Sequence, residues 1–257
     1  MARIIAIAIK KGGVGKTVTT KNLAAATAVK GKRTLLVDLD EQANATRGLG
    51  IDPDALPHNL SHLFSDPNLD PRDVIVRTDF GLDVLPSHPL LKATESGMAL
   101  QRSDPTAADP LLALKALLEI LDDDYDFIFL DTPPSIGFLT VNALVAAHEL
   151  LIPAAAAAYT EDGVLRVLEQ YERTRKGHNP QLRLRGILVT RVKRTNASRV
   201  VWETIAENYK EALMPRAIVE TTAVDEAEQL NRPVVLYDPA NAAAVAYMEV
   251  AEDIING

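Results

Sequence analysis

Short apolar runs recur along the chain and predict strands that are buried on both faces. They lie at 4–9, 34–40, 127–131, 149–153 and 184–190, and most are rich in Ile, Leu and Val. Runs of this length are typical of parallel sheets, which are covered by helices on each side. Helical segments separate several of these runs. The pattern therefore predicts an α/β fold, a doubly wound, mainly parallel sheet with helices on both faces.

Apolar residues at helical spacing predict the covering helices at 17–30, 90–102 and 108–121. The segment 191–199 leads into a further helix that continues to residue 210. The intervening stretch 51–110 is the least regular part of the chain, because eight prolines break it into short pieces. Short strands are predicted there at 74–76 and 82–85, and the pattern indicates no chemistry for the stretch.

Size and composition exclude several classes of protein. With 257 residues, of which 47% are hydrophobic, the chain can bury a complete core, and we expect one domain over 1–257. No apolar stretch reaches the roughly 20 residues of a membrane-spanning helix, and the first strand begins without a leader, so we expect a cytoplasmic protein. The chain has no cysteine, which excludes disulfides and iron–sulfur clusters.

A glycine-rich loop follows the first strand and reads Lys10-Lys11-Gly12-Gly13-Val14-Gly15-Lys16-Thr17. In such a loop the backbone N–H groups of residues 12–15 surround phosphates, at the start of the helix that continues through Val18. Lys16 reaches the β- and γ-phosphates, and Thr17 supplies a hydroxyl to Mg²⁺. The loop predicts ATP and Mg²⁺. The alternative, a dinucleotide-binding G-x-G-x-x-G motif, requires a third glycine where the chain has Val18.

Carboxylates follow two of the predicted strands. Asp38 and Asp40 end the run at 34–40, and Asp131 ends the run at 127–131. Ligands of a doubly wound sheet gather at the carboxyl ends of strands, so these side chains are expected beside the glycine-rich loop. Asp38 and Asp131 are predicted to hold Mg²⁺, with Asp131 acting through a water. Asp38 as a ribose-binding acid and Asp131 as a helix cap are the alternatives.

With its early lysine, Lys11, the glycine-rich loop resembles the deviant Walker A motif of the ParA/MinD ATPases, a family of P-loop NTPases. The resemblance implies that Lys11 reaches across a dimer interface to the partner subunit's nucleotide. It also implies that Asp40 orients the attacking water, although Glu41 and Ala43 depart from the family's proline and glycine. The alanine run 154–158 stands where the family carries polar and aromatic residues. The family's adenine-packing loop is matched by Met214, Pro215 and Arg216.

The charge of the chain is unevenly distributed. The net charge is −8, yet the segment 173–199 has nine Lys and Arg residues and no Asp or Glu. A phosphate backbone responds to the local patch, because the field decays over about 8 Å at physiological salt. The resemblance to the family's DNA-facing helix selects Arg191, Lys193, Arg194 and Arg199 as DNA-binding residues. A solvated surface is the alternative.

Together these features lead to a ParA-type partition ATPase as the functional hypothesis. The resemblance to this family implies a homodimer that forms on ATP binding, binds nonspecific DNA and is located on the nucleoid in its ATP-bound state. It also implies a ParB-like protein or another cargo adaptor that stimulates hydrolysis. A MinD-like membrane-positioning ATPase is an alternative. It requires a basic amphipathic C-terminal helix, and residues 247–255 contain no Lys or Arg. The second alternative is an ATP-dependent metabolic enzyme of the same fold, with a substrate pocket in 51–110.

Overall fold

The computed structural model of the protein describes residues 1–102, 106, 108–157 and 160–257. Pro105, in the proline-rich stretch, and Ala158, at the end of the alanine run, therefore lie outside the described residues. No helix within the described ranges is both long and apolar enough to cross a membrane.

Eight strands form one sheet in the described part of the chain. They are β1 (Arg3–Ile7), β2 (Thr34–Asp38), β3 (Val76–Arg77), β4 (Asp83–Leu85), β5 (Phe127–Asp131), β6 (Glu149–Ala155), β7 (Arg183–Val192) and β8 (Leu213–Val219). Their order is β3-β4-β2-β5-β1-β6-β7-β8. Only the pairing of β3 with β4 is antiparallel among these neighbours. The predicted mainly parallel sheet is confirmed.

Helices cover both faces of the sheet. They are α1 (Lys16–Val29), α2 (Asn44–Arg47), α3 (Leu60–Ser65), α4 (Leu91–Gln101), α5 (Ala113–Ile120), α6 (Phe138–Ala146), α7 (Thr160–Gly177), α8 (Asn196–Asn208), α9 (Thr222–Gln229), α10 (Val234–Tyr237) and α11 (Ala242–Asn256). Short 3₁₀ turns lie at Pro53–Ala55, Pro71–Asp73 and Pro110–Leu112.

Two hydrophobic cores explain why the strands lack polar alternation. On β1, Ile4 and Ala6 pack into the core beneath α3–α8, whereas Ile5 and Ile7 pack into the core beneath α1, α2 and α9–α11. Successive side chains of a strand point to opposite faces, so a strand between two helical layers must be apolar at every position. The continuous apolar run of β1 is the direct result.

The predicted elements are recovered with shifted ends. The predicted helix at 108–121 is divided, because Pro110 begins a 3₁₀ turn and α5 starts only at Ala113. The strand predicted at 74–76 was misplaced, since Val74 caps a 3₁₀ turn and only Val76 lies in β3. The prediction of a loop at Met214 was also wrong, because this residue lies within β8.

The register of the central strands places the candidate site. Asp131 on β5 lies opposite Ile7 on β1 and opposite Asp38 on β2. Because the three strands are parallel, their carboxyl ends meet at one edge of the sheet. The loop from β1 to α1 crosses this edge, and Lys16 and Thr17 at its end contact Asp131.

Candidate nucleotide site

The loop between β1 and α1 has the backbone conformation of a phosphate cradle. Gly13 and Gly15 have φ angles of 73° and 80°, which residues with a side chain rarely adopt. Gly15 is also the N-cap of α1, so the first N–H groups of the helix face the loop. Val14 anchors the loop because its side chain is buried in the core. This loop would hold an anion through its backbone.

Two side chains at the end of β7 fix the orientation of the loop. The Arg191 Nη1 donates to the Gly13 carbonyl at 2.7 Å, and the Thr190 hydroxyl donates to the Val14 carbonyl at 2.8 Å. A trans peptide carries its N–H opposite to its C=O. The N–H groups of Val14 and Gly15 are therefore turned away from β7. Sequence reasoning did not identify Thr190 or this role of Arg191.

Lys16, Thr17 and Asp131 form one polar cluster beneath the loop. The Lys16 Nζ lies 2.9 Å from Asp131 Oδ1, and the Thr17 hydroxyl donates to Asp131 Oδ2 at 2.8 Å. The Thr20 hydroxyl also donates to Asp131, at 2.9 Å. Lys16 is only 6% exposed and Asp131 is fully buried. A carboxylate beside a hydroxyl is a suitable ligand set for Mg²⁺, so these residues fit the predicted metal.

Asp40 lines the same groove as the glycine loop, as predicted. It is 5% exposed, and its Oδ1 accepts a hydrogen bond from the Gln42 amide. Burial raises the pKa of the Asp40 carboxyl above its ordinary value, and the Gln42 amide and the Lys16 ammonium oppose this rise. The structure therefore places a fixed carboxylate near the lysine that is predicted to contact the γ-phosphate.

Asp38 has a different position from the one predicted for a metal ligand. It is fully buried, its Oδ2 accepts from the amide and hydroxyl of Thr46, and its Oδ1 accepts from the Asp40 amide. Burial, and then the charge of Asp131, raise the pKa of Asp38. Its oxygens are directed to protein groups and it does not line the groove. Asp38 instead shapes the loop that carries Asp40.

Lys11 lies at the rim of the phosphate groove, which has a volume of about 440 Å³. The lysine is half-buried, and its Nζ lies 3.4 Å from the hydroxyl of Thr160 at the start of α7. The groove is also lined by Gly12, Lys16, Thr17, Val18 and Asp40. The structure thus brings the predicted catalytic and phosphate-binding residues together at one opening.

A second groove of about 200 Å³ continues from the glycine loop toward β8 and α9. Apolar side chains of Val18, Ile218, Val219 and Val224 contribute to its lining, as does the buried Tyr247. Its size and apolar lining suit a planar base. Because it shares Gly13, Gly15 and Val18 with the phosphate groove, one extended ligand would occupy both.

Met214, Pro215 and Arg216 are not brought to this groove. They lie in the first half of β8, where Met214 packs against Gly186 of β7 and Arg216 pairs with Glu249 at 3.0 Å. The residues that line the base groove are at the other end of the strand, at 218–221. The motif alone did not show that these three residues form part of a strand. It also did not show that the opposite end of this strand reaches the site.

Comparison with known proteins agrees with this geometry. The sequence model of the AAA domain matches residues 2–184. The sporulation initiation inhibitor protein Soj of Bacillus subtilis is 36% identical over 256 residues, covering 99% of this chain and 98% of that protein. The chromosome-partitioning ATPase Soj of Thermus thermophilus is 37% identical over 254 residues, covering 98% and 95%. The chain belongs to the ParA/MinD family of ATPases.

A solved structure supports the fold of this ParA/MinD ATPase. The crystal structure of cobyrinic acid a,c-diamide synthase from Mycobacterium smegmatis, with bound ATP analog and magnesium, is 33% identical and superposes with a TM-score of 0.85. It covers 100% of this chain and 95% of that one. The doubly wound P-loop fold is therefore confirmed.

The basic segment of this ParA/MinD ATPase does not form one patch. Arg183 is at the start of β7 and Arg191 near its end, so roughly 27 Å of strand separates them. Arg191 and Lys193 both pair with Glu220, at 2.9 and 3.1 Å. Their charges are thereby partly neutralised beside the base groove. Sequence reasoning missed Glu220 because it lies 21 residues beyond the end of the segment 173–199.

Arg194 and Arg199 remain on the surface at the start of α8. Both side chains are exposed, and Arg199 makes an ion pair with Glu203 at 3.9 Å, one turn along the helix. Thr195 caps the helix through a hydrogen bond from the Ser198 amide. All four predicted DNA-binding residues are exposed, but Arg191 and Lys193 are the two that pair with Glu220.

Proposed function

We propose that the chain is a ParA-type partition or positioning ATPase that acts as one ATPase domain over residues 1–257. Mg·ATP closes a sandwich homodimer, and the dimer binds DNA without sequence preference. A ParB-like protein or another cargo adaptor stimulates hydrolysis and releases the DNA. The protein would be cytoplasmic and nucleoid-associated in its ATP-bound state. The position of Lys11 at the open rim of the groove, beside Lys16 and Asp40, is the observation that carries this proposal.

ATP and Mg²⁺ fit the residues of the two grooves. The loop and Lys16 would hold the phosphates, Thr17 and Asp131 would hold Mg²⁺, and the base would lie against Ile218 and Val219. When bound, Mg²⁺ neutralises phosphate charge and polarises the phosphoryl oxygens.

Hydrolysis would depend on Asp40 and Lys11. Asp40 is buried beside the groove and held by the Gln42 amide, so its carboxylate is in place to orient a water. Lys11, reaching the nucleotide of the partner subunit, would add positive charge only in the closed dimer. Catalysis that relies on positioning and charge is slow until all of its groups are assembled. This dependence would give the cargo adaptor control of turnover.

DNA binding is assigned to the start of α8, where Arg194 and Arg199 are exposed. Lys193 adjoins them but is paired with Glu220. One such patch makes few phosphate contacts, and two patches on one dimer would double them. Since each neutralised phosphate adds to the salt dependence and affinity, dimerisation would convert weak binding into strong binding.

A membrane-positioning role is disfavoured by the packing of the C-terminal helix α11. Tyr247, Val250, Ala251 and Ile254 are buried in the core shared with α1 and β8. The apolar face of the helix is therefore already covered by the protein. A membrane-binding helix requires that face to be available.

An ATP-dependent metabolic enzyme is the second candidate, because the M. smegmatis structure carries the name of an amide synthase. Amide synthesis requires a nitrogen donor and a carboxylic acid substrate beside the nucleotide. Hydrolysis that is stimulated by DNA and by a cargo adaptor would favour partition. ATP consumption that occurs only with a carboxylic acid and an amide donor would favour the enzyme.

The Asp40→Ala variant tests the proposed function. Loss of the water-orienting carboxylate should slow hydrolysis while leaving the loop, Thr17 and Asp131 intact. With Mg·ATP we expect a persistent dimer that retards random duplex DNA in a mobility-shift assay, whereas ADP gives neither. A variant that hydrolyses ATP at the parent rate, or a dimer that does not bind DNA, would contradict the proposal.

A further inference from the structure

A buried lysine in α1 connects three parts of the nucleotide site. The Lys21 side chain is fully buried, and its Nζ lies 2.7 and 2.9 Å from the two carboxylate oxygens of Glu228 on α9. The same ammonium donates to the Gly48 carbonyl at the end of α2, at 3.2 Å. A buried ammonium is costly unless it is paired and hydrogen-bonded, so these contacts fix its position.

Glu228 occupies the junction of the two grooves. Among the described residues it is the one acidic side chain that lines both the phosphate groove and the base groove. Asp40 lines only the first, and Glu220 and Asp225 line only the second. The Glu228 side chain remains 34% exposed although Lys21 holds both of its oxygens. Each carboxylate oxygen has a further lone pair that can accept a hydrogen bond.

We infer that Glu228 binds the ribose hydroxyls of the nucleotide and makes the site selective for ribonucleotides. This inference rests on the proposed binding of ATP. A nucleotide with its phosphates at the loop and its base against β8 must place its sugar at the junction between the grooves. The 2′ and 3′ hydroxyls are donors on adjacent carbons, and a carboxylate is an acceptor with two oxygens.

Lys21 is the positioning residue for this carboxylate. By holding both oxygens from the core side, it restricts Glu228 to one orientation and leaves the groove side available. Gly48 has a part in the arrangement, because a Cβ at that position would lie 2.1 Å from Lys21 Nζ and 2.9 Å from the Asn44 carbonyl. The α2 segment that follows Asp40 is therefore joined to the same lysine as the ribose-binding carboxylate.

Isothermal titration with ATP, 2′-deoxyATP and 3′-deoxyATP in Mg²⁺ tests the inference. The parent protein should bind ATP on the order of tenfold more tightly than at least one deoxy analogue, the value for a hydrogen bond to a charged acceptor. The analogue that loses affinity identifies the hydroxyl. In Glu228→Ala the ratio of the affinities should fall to about 1, the value expected for equal binding.

A second variant separates recognition from folding. Glu228→Ala leaves the Lys21 ammonium buried without its carboxylate, so Lys21→Met/Glu228→Ala removes both charges together. The double variant should also bind ATP and the analogues equally. Lys21→Met alone should reduce the ratio, because Glu228 loses its fixed orientation. Glu226→Gln is the matched control, since Glu226 is an exposed carboxylate on α9 that lines neither groove, and its ratio should equal that of the parent.

Equal binding of all three nucleotides by the parent would overturn the inference and leave the proposed ATPase intact. An unchanged ratio in both Glu228 variants would overturn it as well. Failure of the parent to bind ATP would overturn the proposed function together with the inference. Ribose selectivity that disappears only when Glu228 or Lys21 is replaced would support the assignment.

Discussion

The Lys16 Nζ and Asp131 Oδ1 are 2.9 Å apart, and both side chains are buried at the carboxyl end of the central strands. The lysine predicted to contact phosphate and the acid predicted to hold Mg²⁺ are therefore a single ion pair. Removing one charge leaves the other in a site with little access to water. Binding and stability are consequently linked in this pair.

Lys16→Ala should abolish ATP binding and the dimerisation that depends on it, and should lower the free energy of unfolding by on the order of 3 kcal/mol, the cost of breaking a buried ion pair. Nucleotide titration and urea unfolding measure the two effects. In Lys16→Met/Asp131→Asn the charges are removed together, so most of the stability should return while ATP binding stays lost. Equal instability of the two variants would contradict the linkage.

Lys11→Ala should retain nucleotide binding but fail to dimerise or hydrolyse ATP, because its proposed target lies in the other subunit. Its half-buried position at the rim predicts little loss of stability. Light scattering with ATP measures the dimer, and phosphate release measures turnover. Lys10→Ala, at the neighbouring exposed lysine, is the matched control. A Lys11→Ala protein that forms a normal dimer with normal hydrolysis would disprove the role across the interface.

Arg194→Glu should weaken DNA binding uniformly across sequences and reduce the slope of log K against log salt by about 2, since each phosphate contact contributes roughly 0.9 and the dimer carries two copies of Arg194. Dimerisation with ATP should be unaffected. Arg183→Glu is the control, because it makes the same charge change at the opposite end of β7. Mobility shifts at several salt concentrations provide the comparison. If both variants weaken binding equally, total charge and not the start of α8 determines affinity.

His148 gives the protein a predictable response to acid. Its Nδ1 accepts a hydrogen bond from the Ile4 amide at 3.0 Å, which requires the unprotonated nitrogen. Burial lowers the pKa of His148 from its ordinary value of 6.5, and this effect exceeds the opposite influence of Asp122 and Glu149. The folded state thus binds the proton less readily than the unfolded state.

The contribution of His148 to stability is therefore complete above about pH 6.5 and is lost as the pH falls from there through the lower pKa of the folded state. The free energy of unfolding should decline between pH 7 and pH 5. His148→Asn keeps an acceptor for Ile4 but cannot titrate, so its decline should be shallower. Urea unfolding across this pH range measures the difference, and parallel curves for the two proteins would refute the assignment.

The sequence predicted the parts of the site that are contiguous along the chain. The glycine loop, Lys16 and Thr17 follow one strand, and Asp131 ends another, so strand periodicity was sufficient to place them together. Glu228 and Lys21 could not be paired from sequence, because the contact depends on the tertiary arrangement in which α10 packs against both α9 and α1. A helical pattern shows which positions are apolar, and a buried lysine in α1 departs from that pattern without indicating its partner.

Met214 illustrates a different limit of prediction. Its tripeptide motif was recognised, but a motif does not show which end of a strand reaches the site. The same holds for the basic segment 173–199, whose charges are adjacent in sequence and separated in space because β7 is extended. Glu220, which partly neutralises Arg191 and Lys193, directly follows β8, a strand that joins the sheet later in the chain.

Arg191 has consequences for motion as well as for charge. Its side chain holds the Gly13 carbonyl, its backbone has a left-handed φ of 52°, and five residues later α8 begins. A rotation of the Gly13 peptide must therefore break this contact or carry the end of β7 with it. The loop that would hold the phosphates and the helix assigned to DNA are thus connected through this one contact and five residues of chain, so a shift of either is transmitted to the other for as long as the contact holds.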